Sequence, residues 1–319
     1  MPVKKPRIGV SSCLLGRKVR WDGGHRRDAF LVEVLGGQVE WVPVCPELEA
    51  GMGVPRPPIR LVGDPRAPRV LEERTGRDHT ARLRRFAEAR VRALAALDLA
   101  GYVTKRDSPS CGLAAVPVHP ARGAARPRRS GVGSFVRVLL ERLPLLPVED
   151  EVRLRDPAVL DAFVERVFAH ARWRAAVARG LGREELLRFH AAHALELAAH
   201  DPAACRRLGA LAAAPARGGL GRIVEAYGRG FMDVLRLPAT RARHARVLRH
   251  VLASLRAALS APDRAALAQA VRDHARGRAP LAVPLALLRD HARRLALPGL
   301  AGQTYLEPDP RELALRRHV

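Results

Sequence analysis

The chain has 319 residues, 56 basic and 32 acidic side chains, a formal net charge of +24 and 48% hydrophobic residues. This length suggests about two domains, and the apolar content excludes wholesale disorder. No run approaches the roughly 20 apolar residues of a membrane-spanning helix, and residues 1–11 lack the apolar core of a secretory signal, so we expect a soluble, cytoplasmic protein.

The first half of the chain alternates short β-like runs with segments of helical period. This is the pattern of βαβ units on a mainly parallel, Rossmann-like sheet, so the predicted class is an α/β domain. The strands are predicted at residues 7–13, 39–45, 102–104 and 145–148. The helices are predicted around residues 30–37, 80–97, where Thr80 serves as the cap, and 135–143. The prolines between Pro55 and Pro68 predict a segment without regular structure.

The second half has helical periodicity almost throughout and predicts an all-α domain. Asp156 and Pro157 form a helix start, Ser260 with Asp263 resembles a capping box, and Gly277 ends the helix that follows. We place an α/β domain at residues 1–152 and a helical domain at residues 153–319. The one low-complexity stretch is an Arg, Ala and Pro loop at residues 121–130.

Arginine dominates the positive charge, with 52 arginines among the 56 basic residues. These arginines are spread over both halves. One interpretation is a biased composition on a solvated surface; the other is a polyanionic partner, because arginines neutralise phosphates and release counterions. Charge alone leaves both interpretations open.

Three of the four cysteines follow predicted strands: Cys13, Cys45 and Cys111. The carboxyl ends of neighbouring parallel strands open into one crevice, so these distant cysteines are expected to converge. A single free cysteine is often only a small buried apolar side chain. Three at equivalent positions instead indicate a soft metal or an iron-sulfur cluster, since disulfides are rare in the cytoplasm. Cys205, on a predicted helix, is interpreted as structural.

Groups that can handle protons lie next to these cysteines. Glu47 follows Cys45 by two residues, Ser108 precedes Cys111 by three, and Asp22 and His25 flank a glycine turn after the first strand. Each also has an ordinary structural interpretation. Asp22 would form an Asx turn, Ser108 would cap a turn, and Glu47 would be a solvated acid in a loop. Their clustering at one edge of the sheet favours a catalytic site.

Several motifs together resemble the thiouracil desulfurase (TudS-like) domain family. They are Ser11-Ser-Cys-Leu-Leu15, Arg20-Trp-Asp-Gly-Gly24, Cys45-Pro-Glu47, Pro55-Arg56, Gly76-Arg-Asp78 with Thr80, and Ser108-Pro-Ser-Cys-Gly112. The helical half resembles the YbgA-like domain, a domain of unknown function. Its matching positions are Phe189-His190, His200, the segment around Pro284, Gln303-Thr-Tyr-Leu306 and residues 313–319. The fused arrangement is similar to the RudS-type tRNA 4-thiouridine desulfidases.

The resemblance implies a four-iron four-sulfur ([4Fe-4S]) cluster with Cys13, Cys45 and Cys111 as ligands and one open iron for the thiocarbonyl sulfur. It implies Glu47 and Ser108 as catalytic residues and desulfuration of 4-thiouridine in tRNA to uridine. We assign substrate-binding roles to Asp22, Arg56, Lys105, Arg126, Arg128 and Arg129. Trp21, where the family has tyrosine, and Ala194, where it has lysine, depart from the pattern.

The expected chemistry is hydrolytic, and no GxGxxG fingerprint follows a strand, so neither nicotinamide nor flavin is required. The helical half offers no catalytic constellation. Its His190 and His193 are better interpreted as a packed pair than as metal ligands, so we assign this half to RNA recognition, with tRNA as the partner. Two alternatives remain open: the same chemistry on free thiouracil-type bases, and a non-catalytic RNA-binding protein.

Overall fold

The computed structural model describes residues 5–122, 126–215, 219–295, 300 and 302–316. The strands are β1 Arg7–Ser11, β2 Glu40–Val44, β3 Ile59–Val62, β4 Arg69–Glu72, β5 Gly101–Thr104, β6 Val116–His119, β7 Arg128–Gly131 and β8 Val148–Asp150. The helices are α1 Pro46–Glu49, α2 Thr80–Ala96, α3 Ser134–Arg142, α4 Pro157–Ala178, α5 Arg183–His200, α6 Pro202–Ala213, α7 Leu220–Val234, α8 Arg241–Leu255, α9 Ala261–Ala275, α10 Ala282–Arg294 and α11 Pro310–Arg316.

These elements form two compact units. One comprises residues 1–171 with 314–319, and the other residues 172–313, so the division falls within α4. The predicted boundary between residues 152 and 153 remains a prediction. The α/β unit contains a parallel sheet and the other unit is helical, which confirms the predicted fold class. Among the described residues, no helix is long and apolar enough to cross a membrane.

The first sheet is parallel throughout, in the order β2-β1-β5-β8. Successive side chains of a strand point to opposite faces of the sheet, and different helices cover the two faces. Ile8 and Val10 pack with Phe163 and Val167 from the first part of α4. On the other face, Tyr102 packs with residues of α2 and α3. Burial on both faces accounts for the apolar character of these strands.

A second sheet, in the order β4-β3-β6-β7, was not anticipated from the sequence. The expectation that prolines exclude regular structure from residues 55–68 was wrong, since β3 occupies the proline-free residues Ile59–Val62. The predicted loop at residues 121–130 was also wrong in part, because β7 begins at Arg128 and pairs with β6; residues 123–125 lie outside the described residues. Apolar side chains of β3 and β6 form a core under α2 with Leu83.

Several predicted elements are present with altered ends. The first strand ends at Ser11, and Cys13 lies in a 3-10 turn, Ser12–Leu15. The predicted helix near residue 30 is a π turn followed by a 3-10 turn. Thr80 is the first residue of α2 rather than its cap, and its hydroxyl accepts a hydrogen bond from the Val70 N–H. The extended segment predicted at 145–148 appears as β8, which starts only at Val148.

The predicted helix signals of the second half are confirmed. The Asp156 carboxylate accepts the Ala158 N–H at the start of α4, and the Ser260 hydroxyl accepts the Asp263 N–H at the start of α9. Gly277, with φ of 74°, follows the end of α9. His193 accepts a hydrogen bond from Arg172 and pairs with the Phe189 carbonyl, and burial lowers its pKa to about 3. It is therefore neutral and packed.

A prediction concerns Gly9 in β1. A Cβ at this position would lie 2.2 Å from the Tyr102 ring, so Gly9→Ala forces the ring or the strand to move. We expect the free energy of unfolding to fall by about 2–3 kcal/mol, as measured by urea denaturation. Gly37→Ala is the matched control, because a Cβ there meets nothing within 4 Å. Equal stability of the two variants would contradict the close packing of Gly9 against Tyr102.

Candidate active site

A cavity of about 530 Å³ opens at the carboxyl ends of β1 and β2. It is lined by Cys13, which follows β1, by Cys45, which immediately precedes α1, and by Cys111 in the segment between β5 and β6. Parallel strands direct their carboxyl ends to one edge of the sheet, which brings together residues almost 100 positions apart. The expected convergence of the three cysteines on one crevice is therefore observed.

The three thiols are free, and they influence one another. Cys13 and Cys111 are buried, and Cys45 is half-buried. Burial, followed by the neighbouring Cys45 thiol, raises the pKa of Cys13 to about 11. Burial and the Cys45 thiol likewise raise the pKa of Cys111, and burial raises that of Cys45. At neutral pH these thiols are protonated, and a cationic centre would be needed to hold them as thiolates.

The donor set is chemically suited to an iron-sulfur cluster. Among the described residues, no three His, Cys, Asp or Glu side chains could hold one metal ion. A metal–sulfur bond of about 2.3 Å requires the ligand sulfurs of one ion to lie about 4 Å apart. A cluster of several irons takes each thiolate on a different iron, and soft sulfur donors match it. Three thiols in one cavity fit such a group.

Glu47 reaches the same cavity from α1 and is held there by two contacts. Arg56 donates from Nε to Glu47 Oε2 at 2.8 Å and from Nη2 at 2.6 Å, and the two side chains are only 3% and 13% exposed. The Ser110 hydroxyl donates to the other oxygen, Oε1, at 2.6 Å. This orients the carboxylate toward the loop that carries Cys111.

Two serines connect this carboxylate to Cys111. The hydroxyls of Ser108 and Ser110 lie 3.2 Å apart, and Ser108 Oγ accepts the Cys111 N–H at 3.1 Å. The Ser110 hydroxyl is also 3.6 Å from Cys111 Sγ. The loop packs closely against Gly133, where a Cβ would lie 2.6 Å from the Ser110 carbonyl. A hydrogen-bonded chain thus runs from Arg56 through Glu47 to the serines beside the thiol.

The glycine turn after β1 does not bring Asp22 and His25 to the cavity, as the sequence had suggested. Trp21 lines the cavity and is 44% exposed, whereas Asp22 and His25 are not among the lining residues. Asp22 accepts the Gly24 N–H, and that hydrogen bond is the main cause of its lowered pKa. Asp22 therefore forms the Asx turn that was the alternative interpretation.

The basic side chains predicted to bind substrate fall into two groups, those that line the cavity and those that do not. Arg56 and Lys105 line the cavity and are already paired, Arg56 with Glu47 and Lys105 with Glu151 at 2.7 Å. Arg126 and Arg128 are exposed and do not line the cavity. Arg129 is paired with Asp107, which does line it. The basic segment therefore lies outside the cavity and connects to it through one ion pair.

The sequence did not single out every residue that the cavity collects. Ser110 was visible in the motif around Cys111, but only the fold reveals which of its two serines contacts Glu47. His119 and Arg60 also line the cavity, from the second sheet, which was not predicted. Basic groups outnumber acidic ones in the lining: Arg20, Arg26, Arg56, Arg60, Lys105 and Arg106 against Glu47, Glu73 and Asp107.

Comparison with known proteins divides the chain in two. The family described as 2-thiouracil desulfurase matches residues 8–151, and a family of unknown function, DUF1722, matches residues 195–310. The "Uncharacterized protein YbgA" of Escherichia coli (strain K12) is 29% identical over 157 residues, which are 49% of this chain and 93% of that protein. A solved structure described as "[4Fe-4S]-dependent thiouracil desulfidase TudS" is 30% identical, covers 48% of this chain and 95% of its own, and has a TM-score of 0.40.

The buried ion pair generates a prediction. Arg56→Met leaves the Glu47 carboxylate with only the Ser110 hydroxyl, so we expect the free energy of unfolding to fall by about 3 kcal/mol in urea denaturation. Combining it with Glu47→Gln removes the unpaired charge and should restore part of that loss. Arg85→Met, at an exposed position of α2, is the control. Strictly additive losses in the double variant would contradict the coupling of the two side chains.

Proposed function

Through residues 8–151 the chain belongs to the 2-thiouracil desulfurase family, and we propose that it removes sulfur from 4-thiouridine in tRNA. The observation that carries the proposal is the single cavity lined by Cys13, Cys45, Cys111 and Glu47. In this proposal the three thiolates hold a [4Fe-4S] cluster. The surplus of cations in the lining supports this assignment, because a cluster with three thiolates carries net negative charge.

The proposed reaction exchanges the thiocarbonyl sulfur for the oxygen of water. One water molecule enters, the C=S group becomes C=O, and sulfur leaves as hydrogen sulfide, so no electrons are gained or lost. When bound, a cluster with three protein ligands supplies an iron without one, where a soft thiocarbonyl sulfur can be held and its C–S bond polarised.

Glu47 is the general base in this scheme. Its Oε1 retains a lone pair beyond the one that accepts from Ser110, and from the cavity wall it can take a proton from the attacking water. Arg56 fixes the carboxylate by binding Oε2 and keeps it from rotating away. We assign Ser110 the task of orienting Glu47, and Ser108 that of holding the Cys111 loop and the base or the water.

The choice of tRNA over a free base rests on charge. A free base needs only a pocket, whereas a tRNA requires phosphate contacts over a wide surface. Exposed arginines are available near the α/β cavity, at Arg126 and Arg128, and on α8 of the helical unit, where Arg246 and Arg249 are exposed. Free thiouracil remains the second candidate, because the matching family is named for that substrate.

The cluster assignment predicts that the cysteines in the cavity are needed for iron binding and turnover and that Cys205, outside the cavity, is not. After anaerobic reconstitution with iron and sulfide, the full chain should bind about four irons and absorb visible light, and Cys111→Ser should lose both iron and turnover. Cys205→Ser is the matched control, because Cys205 lies outside the cavity and contacts the Ala194 carbonyl.

Glu47→Gln should keep the iron and lose about 10²–10⁴-fold in turnover. A colourless wild-type protein would refute the assignment and favour a non-catalytic role.

The substrate assignment predicts a strong preference for 4-thiouridine in tRNA over free thiouracil. The reconstituted chain should desulfurate 4-thiouridine in tRNA with a kcat/KM at least 100-fold above that for free thiouracil. Replacing Arg126 and Arg128 by Gln should weaken tRNA binding and reduce the slope of log affinity against log salt by about 2. The double variant Arg84→Gln with Arg85→Gln, on the exposed face of α2, is the charge-matched control. Preference for the free base would favour the second candidate.

A further inference from the structure

Arg60, on the wall of the active-site cavity, has no counterion among the described residues. It belongs to β3 of the second sheet, is partly buried and lines the cavity. Its Nε is buried without a hydrogen-bond partner, and within the described part of the chain its guanidinium forms no ion pair. Glu73, which follows β4 and also lines the cavity, is exposed and is not paired with it. A partly buried cation of this kind indicates that a ligand supplies the acceptor.

The other basic side chains of the cavity differ from Arg60. Three are already paired with carboxylates: Arg20, Arg56 and Lys105. The same three partly offset the burial that raises the pKa of a cavity thiol. The remaining two, Arg26 and Arg106, are exposed. Positive charge at the thiols is therefore supplied without Arg60, which belongs to the other sheet.

The second sheet presents Arg60 and His119 on one face. Val62 pairs with His119 across the parallel strands β3 and β6, and side chains two residues apart on a strand share a face. Arg60 and His119 therefore lie diagonally on the same face, and both line the cavity. The alternate residues, Leu61 and Val118, belong to the core under α2. A guanidinium and an imidazole N–H on one surface are donors suited to a phosphate.

The cavity has room for more than one pyrimidine ring. Its volume of about 530 Å³ lies in the range of sites for drug-sized ligands. In the proposed reaction the C4 thiocarbonyl of the base faces the cysteines. The ring nitrogen N1, which carries the sugar of a nucleotide, is across the ring from C4. The sugar and phosphate of a nucleotide therefore extend away from the cysteines, toward the part of the lining that the second sheet supplies.

We propose that Arg60, together with His119, binds a phosphate of the substrate and so makes the cavity select a thiolated nucleotide over a free base. The inference rests on the proposed function for the identity of the base and adds a phosphate subsite to it. Arg60 donates to the phosphate oxygens from its guanidinium, and His119 donates from a ring N–H. An RNA backbone and a free mononucleotide both carry this group, and the test separates them.

The test compares the affinity of the full chain for uridine 5′-monophosphate with that for uridine, which lacks the phosphate. The wild-type chain should bind the monophosphate about 10–100-fold more tightly, as expected for hydrogen bonds to a charged group. Arg60→Gln should lower this ratio at least fivefold, whereas a merely structural role would weaken both ligands equally. Arg85→Gln, at an exposed position of α2, is the charge-matched control and should keep the ratio.

Two results of this binding measurement would overturn the inference. One is a wild-type chain that binds the monophosphate no better than uridine, which needs no variant to observe. The other is an unchanged ratio in Arg60→Gln. Since the measurement needs no turnover, failure of the wild-type chain to assemble a cluster would refute the proposed function and leave this test of the phosphate subsite in place.

A second measurement identifies the source of the phosphate. With the reconstituted chain, Arg60→Gln should lower the preference for 4-thiouridine in tRNA over free thiouracil about 10-fold, mainly through a higher KM for tRNA. A changed affinity for the monophosphate with an unchanged KM for tRNA would identify the ligand as a free nucleotide. An equal fall in kcat/KM for tRNA and for free thiouracil would show that Arg60 acts on the base or the cluster, and would overturn the inference.

Discussion

The constraint on which the α/β unit depends is the burial of three thiols at one edge of a parallel sheet. Strand order β2-β1-β5 brings Cys13, Cys45 and Cys111 to a single cavity. Burial raises the pKa of each thiol, and the neighbouring Cys45 thiol adds to the effect at Cys13 and Cys111. Protonated thiols there contribute little beyond apolar packing. A cationic centre that replaced the protons would hold these groups as thiolates, which is the physical reason for proposing iron-sulfur chemistry at this cavity.

The groups around the thiols are joined to one another by hydrogen bonds. Arg56 fixes one oxygen of Glu47, Ser110 fixes the other, and Ser108 holds the backbone of Cys111. Arg56 comes from the segment before β3, whereas both serines belong to the loop that carries Cys111. The Glu47 carboxylate, the proposed general base, and the Cys111 thiol, the proposed cluster ligand, are thus positioned by one hydrogen-bonded chain.

The sequence by itself determined the class of fold, the convergence of the cysteines and the helix signals of the second half. Periodicity and capping residues are local signals, and the carboxyl ends of parallel strands open into one crevice. Only the tertiary structure decided that Asp22 makes a local turn, that Ser110 contacts Glu47, and that a second sheet supplies His119 and Arg60 to the cavity. The four-residue strands of that sheet carry too little periodicity to be recognised one at a time. Their pairing with distant partners is what stabilises them, and that pairing exists only in the folded chain.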